Sequence, residues 1–288
     1  MSKQVCYDAM RFSRGGGFVA RDMIPHGVRS PVRTVYRTID SDITNGELVF
    51  WTTCGPATTF DPKITGVAGT WFFDDGTTLD AASGAEISKT FAAEGLHRAV
   101  YRPVGGPAAI TAIDANTDLL TSVWGIEKIS ALSFLSLSIN AGLVISLASI
   151  PPTTTLYARD CNYISGSLSQ LKDGCQTVYL YRSPSVLPGS ISHLTTIREL
   201  GVYTLGWLTA DVDVVLLSIA NAIVADAAHF TYATPALQIG WNNEAPSGTY
   251  QAPTGPGGTP TSGLEAVWIM THNTGHTWTV SATGGSYP

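Results

Sequence analysis

Leu132-Ser133-Phe134-Leu135-Ser136-Leu137-Ser138-Ile139-Asn140 sets leucine at its first, fourth and sixth positions and asparagine at its ninth. The pair Leu135/Leu137 returns as Leu156/Ala158, Val178/Leu180 and Leu200/Val202, at intervals of 21, 22 and 22 residues. A fixed period of this length marks a stacked array in which each repeat covers the apolar face of its neighbour. Alternate side chains of a strand face opposite ways. These eight residues are therefore expected in the core. Their neighbours then form two rows on the solvent face of the sheet. One row is Ser136, Tyr157, Tyr179 and Gly201, and the other is Ser138, Arg159, Tyr181 and Tyr203. The return segments 143–150, 164–171 and 186–194 hold too much Pro, Gly and Ser for long helices, so irregular or 3-10 turns are expected on the convex side.

The pattern L-x-x-L-x-L-x-x-N resembles the strand-and-turn segment of a leucine-rich repeat. The resemblance implies a surface-building solenoid and shifts expectation from catalysis towards binding. The array is read over 118–210 and a C-terminal cap over 211–288. In the cap, Val212, Val215, Leu216, Ile219 and Ile223 recur at helical spacing, with Asp211 as the expected N-cap. A strand is expected over 236–243, a Pro/Gly/Thr/Ser loop over 246–263, a short helix over 264–270 and a last strand over 277–280. The segments Leu237-Gln238-Ile239-Gly240-Trp241-Asn242-Asn243-Glu244-Ala245-Pro246-Ser247 and Gly275-His276-Thr277-Trp278-Thr279-Val280 are similar to the ending of bacterial and bacteriophage leucine-rich-repeat proteins.

Upstream of the array, residues 46–117 read as short strands with turn signals between them: 47–51, 67–73, 87–91 and 96–101. Asp74-Asp75-Gly76-Thr77 supplies a hairpin turn. Trp71-Phe72-Phe73-Asp74-Asp75-Gly76-Thr77, followed by Ser88-Lys89-Thr90-Phe91-Ala92-Ala93-Glu94-Gly95, resembles a PKD-like domain, which implies an immunoglobulin-like β-sandwich spacer with no catalytic site of its own. Asp74 and Asp75 suit either a calcium site or a turn in which the aspartate bonds its own backbone. The fold class expected for the whole chain is mainly β with minor α: a PKD-like β-sandwich followed by a leucine-rich-repeat solenoid with a helix-containing cap.

Residues 1–45 carry Arg11, Arg14, Arg21, Arg29, Arg33 and Arg37, six of the chain's 16 Lys and Arg residues, around Gly15-Gly16-Gly17. They read either as an attachment arm for an acidic partner or as a leading strand, with alternation over 32–39. The net charge of −6 argues against a nucleic-acid partner, because no basic stripe is available to displace counterions from phosphates. With 44% hydrophobic and 13% charged residues, the chain is globular or fibrous, and its solubility rests on Ser, Thr, Gly and Asn. No leader with an apolar core opens it and no apolar run reaches membrane-spanning length, so synthesis in a cytoplasm without membrane insertion is expected. Cys6, Cys54, Cys161 and Cys175 lack metal-ligand spacing. Cys161 and Cys175 are either small core residues or a bonded pair, and the missing leader favours the first.

Chemistry-bearing constellations are sparse. His272 and His276 stand four apart, but the turn-like Asn273-Thr274-Gly275 lies between them and no further ligand completes a zinc site. There is no nucleophile elbow and no phosphate loop. No catalytic residue, metal or cofactor is expected. The strongest functional signal is the group Tyr157, Arg159, Tyr179, Tyr181 and Tyr203, since Tyr and Arg are enriched at binding hot spots. Cross-strand tyrosines that merely stabilise the sheet are the alternative. Together these features suggest a non-enzymatic bacteriophage virion protein, as a tail-fibre, head-fibre or decoration component. Its partners would be other virion subunits or its own copies, with a host-surface glycan or protein as possible ligand. The alternative is a bacterial cell-surface adhesin or interaction module, or a self-assembling filament subunit.

Overall fold

The computed structural model describes residues 46–287. The basic arm and the strand expected over 32–39 lie outside the described residues. The described residues are mainly β, with two α-helices and a β-solenoid of about four turns.

The solenoid is built on a nine-stranded sheet. Its parallel rungs are β6 (Ala112–Asp114), β8 (Phe134–Ser136), β10 (Thr155–Tyr157), β12 (Thr177–Tyr179), β14 (Glu199–Gly201), β15 (Ala236–Gln238) and β16 (Thr279–Ala282). Ile113, Leu135, Leu156, Val178, Leu200, Leu237 and Val280 are paired in register from rung to rung. All seven are completely buried. Each such aliphatic side chain contributes roughly 1.5–3 kcal/mol by leaving water. The sheet extends beyond 118–210 in both directions. An antiparallel strand closes each end: β2 (Lys63–Thr65) against β6, and β17 (Gly285–Tyr287) against β16.

Five successive rungs, β6 to β14, leave the sheet through a left-handed residue that is not glycine: Thr117 (φ 64°), Ile139 (61°), Asp160 (58°), Arg182 (55°) and Thr204 (60°). An L-residue in this conformation costs about 1–2 kcal/mol. The cost is met because these N–H groups donate across the rungs: Ile139 to Arg159 O, Asp160 to Tyr181 O, Arg182 to Tyr203 O. The next residue then turns inward. Asp118, Asn140, Cys161, Ser183 and Leu205 form a buried column, which Asn243 resumes in the cap. Asn140 Nδ2 donates to Ala115 O (2.7 Å) and Leu137 O (2.9 Å), and its Oδ1 accepts from Leu120 N (2.8 Å). Cys161 Sγ and Ser183 Oγ donate to Leu137 O and Ala158 O. Cys54, Cys161 and Cys175 are free thiols in the interior, and burial raises all three above the ordinary thiol range.

On the convex side two of the three return segments carry 3-10 turns, at Leu147–Ser149 and Leu168–Gln170, while 186–194 holds a two-residue strand and irregular turns; a further 3-10 turn lies earlier, at Ile126–Lys128. The parallel three-stranded sheet beside them was not expected. It comprises β9 (Val144–Ser146), β11 (Tyr163–Ser167) and β13 (Val186–Leu187).

A five-stranded antiparallel sheet packs on the N-terminal rungs, in the order β4 (Thr78–Ala81), β3 (Gly69–Phe73), β5 (His97–Pro103), β1 (Leu48–Thr52), β7 (Leu120–Trp124). Phe50, Phe60, Trp71, Phe73, Phe91 and Tyr101 interlock at centroid distances of 5.0–6.5 Å and share one continuous core with the rungs. The hairpin turn forms at residues 74–77, with Phe73 N donating to Thr77 O. Residues 87–91 are not a strand. Their only ladder contact is the isolated bridge Phe60–Lys89, while Phe91 packs on Phe73 and Lys89 pairs with Asp75.

In the cap, α1 (Thr209–Ala225) buries the expected Val212, Val215, Leu216, Ile219 and Ile223. Its N-cap is Leu208, not Asp211. Asp211 lies one turn in and its carboxylate accepts from the Leu208 N–H (3.2 Å), a position that also favours the helix dipole. Helix α2 (Gly263–His272) is capped by Ser262 and packs on α1. Buried Glu265 gathers the loop before α2, accepting from Thr254 Oγ1 (2.7 Å), Thr261 N (2.7 Å) and Thr261 Oγ1 (2.8 Å). These bonds hold its carboxyl at about 2, below the usual carboxylate range. No described helix is long and apolar enough to cross a membrane.

Candidate functional site

The parallel sheet turns its free face outward, and register decides what stands there. Thr155–Tyr157 lies beside Thr177–Tyr179, so the rings of Tyr157 and Tyr179 meet at 5.2 Å. Tyr181 and Tyr203, two residues beyond the next pair of strands, stack nearly parallel at 4.5 Å. Tyr179 links the two pairs through an edge contact with Tyr181 (6.0 Å). The row continues to Phe134 at one end (5.7 Å from Tyr157) and to Trp241 at the other (5.2 Å from Tyr203). Six aromatic side chains thus form an unbroken ridge across the rungs.

All five residues singled out in the sequence reach this ridge. Tyr157, Tyr179, Tyr181 and Tyr203 are half-buried, and Arg159 is exposed with Nη1 donating to Tyr181 Oη (3.0 Å). Ser136 and Ser138, expected on the same face, are buried. Asn116 Oδ1 accepts from the Ser136 hydroxyl (2.6 Å) and the Ser138 N–H (2.9 Å), which folds that end of both rows under the preceding rung. Gly201 is buried too, beneath the Tyr179 ring: a Cβ there would lie 2.5 Å from Tyr179 Cδ1. Burial, with a hydrogen bond to Glu199, pushes the Tyr179 hydroxyl above its ordinary range. Burial and the neighbouring Tyr181 do the same for Tyr203. Both hydroxyls stay neutral at physiological pH and serve as donors and acceptors.

Phe134 and Trp241 were not singled out in the sequence. Phe134 lies within the quoted repeat, one position before its core leucine. Trp241 was hidden because its rung is one residue longer: the buried Asn243 lies six positions after Leu237, whereas Asn140 lies five after Leu135.

The other candidate groups are engaged internally. Asp75 pairs with Lys89 and accepts from Thr77, and these partners hold it at about 2. Asp74 accepts from Arg98 N (3.1 Å) and contacts His97. Both aspartates therefore serve the turn. His272 stacks on Trp268 (4.3 Å), while His276 bonds Tyr232 O (2.8 Å). Among the described residues no group of three or more His, Cys, Asp or Glu is placed to hold a metal. A shallow hollow of about 160 Å³ at the β2–β6 end is lined by Asp61, Lys63, Glu86, Asp114 and Asn116.

Compared with models of protein families, with curated proteins and with solved structures, the chain matches none.

Proposed function

We propose that this protein is a non-enzymatic structural component of a bacteriophage particle, a tail-fibre, head-fibre or decoration subunit, that presents the aromatic ridge to a host surface or to a neighbouring subunit. The observation that carries the reading is the ridge itself: six rings in contact across the rungs, edged by tyrosine hydroxyls and the Arg159 guanidinium. A row of this kind offers large contact area at low entropic cost. The leucine-rich-repeat and PKD-like resemblances support the phage assignment, and the rigid solenoid suits an external part.

A second reading is a self-assembling filament subunit. It is favoured by the outer edge of β17, which pairs with no described strand and so offers a template for another chain.

Replacing Tyr179 and Tyr181 together with Ser tests the reading. The half-buried rings contribute packing, so a stability loss of about 1–2 kcal/mol is expected. Adsorption to host cells, or self-association followed by light scattering, is expected to disappear. Tyr179→Phe with Tyr181→Phe, which keeps the rings, separates the hydroxyl contribution from the packing. Intact adsorption and intact association in the Ser variant would remove the ridge from the function. Growth of open polymers through the β17 edge, unaffected by the ring substitutions, would favour the filament.

A further inference from the structure

We propose that Trp241 anchors a carbohydrate-binding site, in which the indole face holds a sugar ring while the hydroxyls of Tyr203 and Tyr181 and the guanidinium of Arg159 bond its hydroxyls. The inference rests on the ridge being a recognition surface, and it names the ligand class and the anchoring residue.

Trp241 is 76% exposed, the most exposed large hydrophobic residue in the described structure. It also has a left-handed backbone (φ 48°), followed by a second left-handed residue, Asn242 (φ 68°). The corners after β8, β10, β12 and β14 each use one such residue, and the corner after β6 uses Thr117 and Leu119 set apart; here two stand in succession because Trp241 is inserted. A bulky residue at positive φ is strained, and such strain persists only where the surroundings enforce it. Here Asn243 enforces it. From its buried place in the inner column, Nδ2 donates to Val202 O (2.8 Å) and Ile239 O (2.9 Å), while Oδ1 accepts from Leu205 N (3.0 Å) and Trp207 N (3.2 Å). Trp241 O accepts from Thr204 N (2.7 Å). The backbone is clamped on both sides, so the indole is held out on the sheet face, where it meets Tyr203 and is otherwise open to solvent.

The surroundings select the ligand. The indole plane is turned 64° from the Tyr203 ring, whereas Tyr203 and Tyr181 cover one another's faces. The exposed indole therefore supplies the apolar face, and the tyrosines supply hydroxyl-bearing edges. The same sheet face adds the neutral groups of Gln238 and Ser281, paired in register, and the guanidinium of Arg159. A sugar ring has this pattern in complement, with C–H faces and a hydroxyl rim. Rungs repeat at about 4.8 Å, close to the length of one residue in an extended glycan, so a linear chain can lie across Trp241, Tyr203 and Tyr181 in turn.

The test uses the full chain against an array of linear gluco-, galacto-, manno-, rhamno- and N-acetylhexosamine oligosaccharides, followed by fluorescence titration of the series retained. Trp241→Gly removes the indole and suits the positive φ, so its melting temperature is expected to equal or exceed that of the wild type. Its affinity for the retained series is expected to fall at least about tenfold, as for the loss of a hot-spot aromatic. Trp241→Tyr is expected to keep most of the binding, and Trp124→Phe, on the five-stranded sheet, all of it. Retention of no oligosaccharide by the wild-type chain would overturn the proposal. So would binding that survives Trp241→Gly, or a loss in that variant confined to self-association or protein capture. Binding that survives Trp241→Gly but not the Tyr179/Tyr181 double substitution would sink the anchor and leave the recognition face standing. Survival in both would sink both.

Discussion

Replacing Asn140 with Ala is expected to lower unfolding free energy by about 3–5 kcal/mol, because it leaves several buried polar groups without partners at once. The amide is completely buried and occupied on both sides. Its oxygen takes the Leu120 N–H, while its nitrogen feeds Ala115 O on the preceding rung and Leu137 O on its own. No water reaches these groups to replace the lost bonds. Each bond also steadies the left-handed corner at Ile139. Urea unfolding followed by circular dichroism would measure the change. Cys161→Ala offers the contrast: Cys161 holds the equivalent place one rung later, but its thiol is a weak donor to Leu137 O and Arg159 O. A much smaller loss, about 1 kcal/mol, is expected there. Equal losses at the two positions would mean that the inner column is held by packing alone and that its hydrogen bonds contribute little.

The inner column also shows where the sequence stops being readable. The aliphatic pairs were legible because a rung must bury the same two positions each time, and the 21- to 22-residue period makes them line up. From that register the stacking of Tyr157 on Tyr179 and of Tyr181 on Tyr203 followed. The ninth position was not legible as a series. Asp118, Asn140, Cys161, Ser183 and Leu205 share no residue type; what they share is a place behind a left-handed corner. Ile113 and Ala115 were missed as the first core pair because they lie in a stretch that reads as sandwich, and β6 joins the solenoid sheet through pairing that leaves no local mark. Strands β9, β11 and β13, two to five residues long, are too short to show alternation. Helix α1 was legible from its apolar spacing, but its start was misplaced because Leu208 caps it without a side-chain bond and the eye settles on Asp211. Trp241 escaped because an insertion breaks the count on which the array was recognised.

Asp118→Asn is expected to stabilise the protein, by an amount that depends on pH. Asp118 stands in the inner column one rung before Asn140 and is 0% exposed. Its Oδ1 accepts from Asp61 N (2.6 Å), and its Oδ2 has no hydrogen-bond partner. Its own carbonyl receives Thr52 Oγ1 (2.5 Å) and Cys54 Sγ (3.2 Å), tying the five-stranded sheet to the solenoid. Burial, reinforced by the nearby charges of Asp61 and Asp114, raises its carboxyl from 3.8 to about 8. The native state therefore holds a proton that the unfolded chain releases once the pH exceeds 3.8. The stabilising contribution is complete below that value, declines as pH rises, and is gone above about 8. An amide copies the protonated acid without carrying a titratable proton. The variant should match the wild type near pH 4, exceed it increasingly from there to pH 8, and hold a constant advantage beyond. One pKa unit corresponds to 1.36 kcal/mol, and relaxation around the ionised form removes part of the full difference, so an advantage of about 3 kcal/mol at pH 8 is expected. Urea midpoints for both proteins at pH 4, 6, 8 and 9 would trace the divergence. Parallel curves across that range would mean that Asp118 is ionised in the folded chain and finds compensation at Oδ2. A falling wild-type curve beside a flat variant would show that the junction between the two sheets carries a proton.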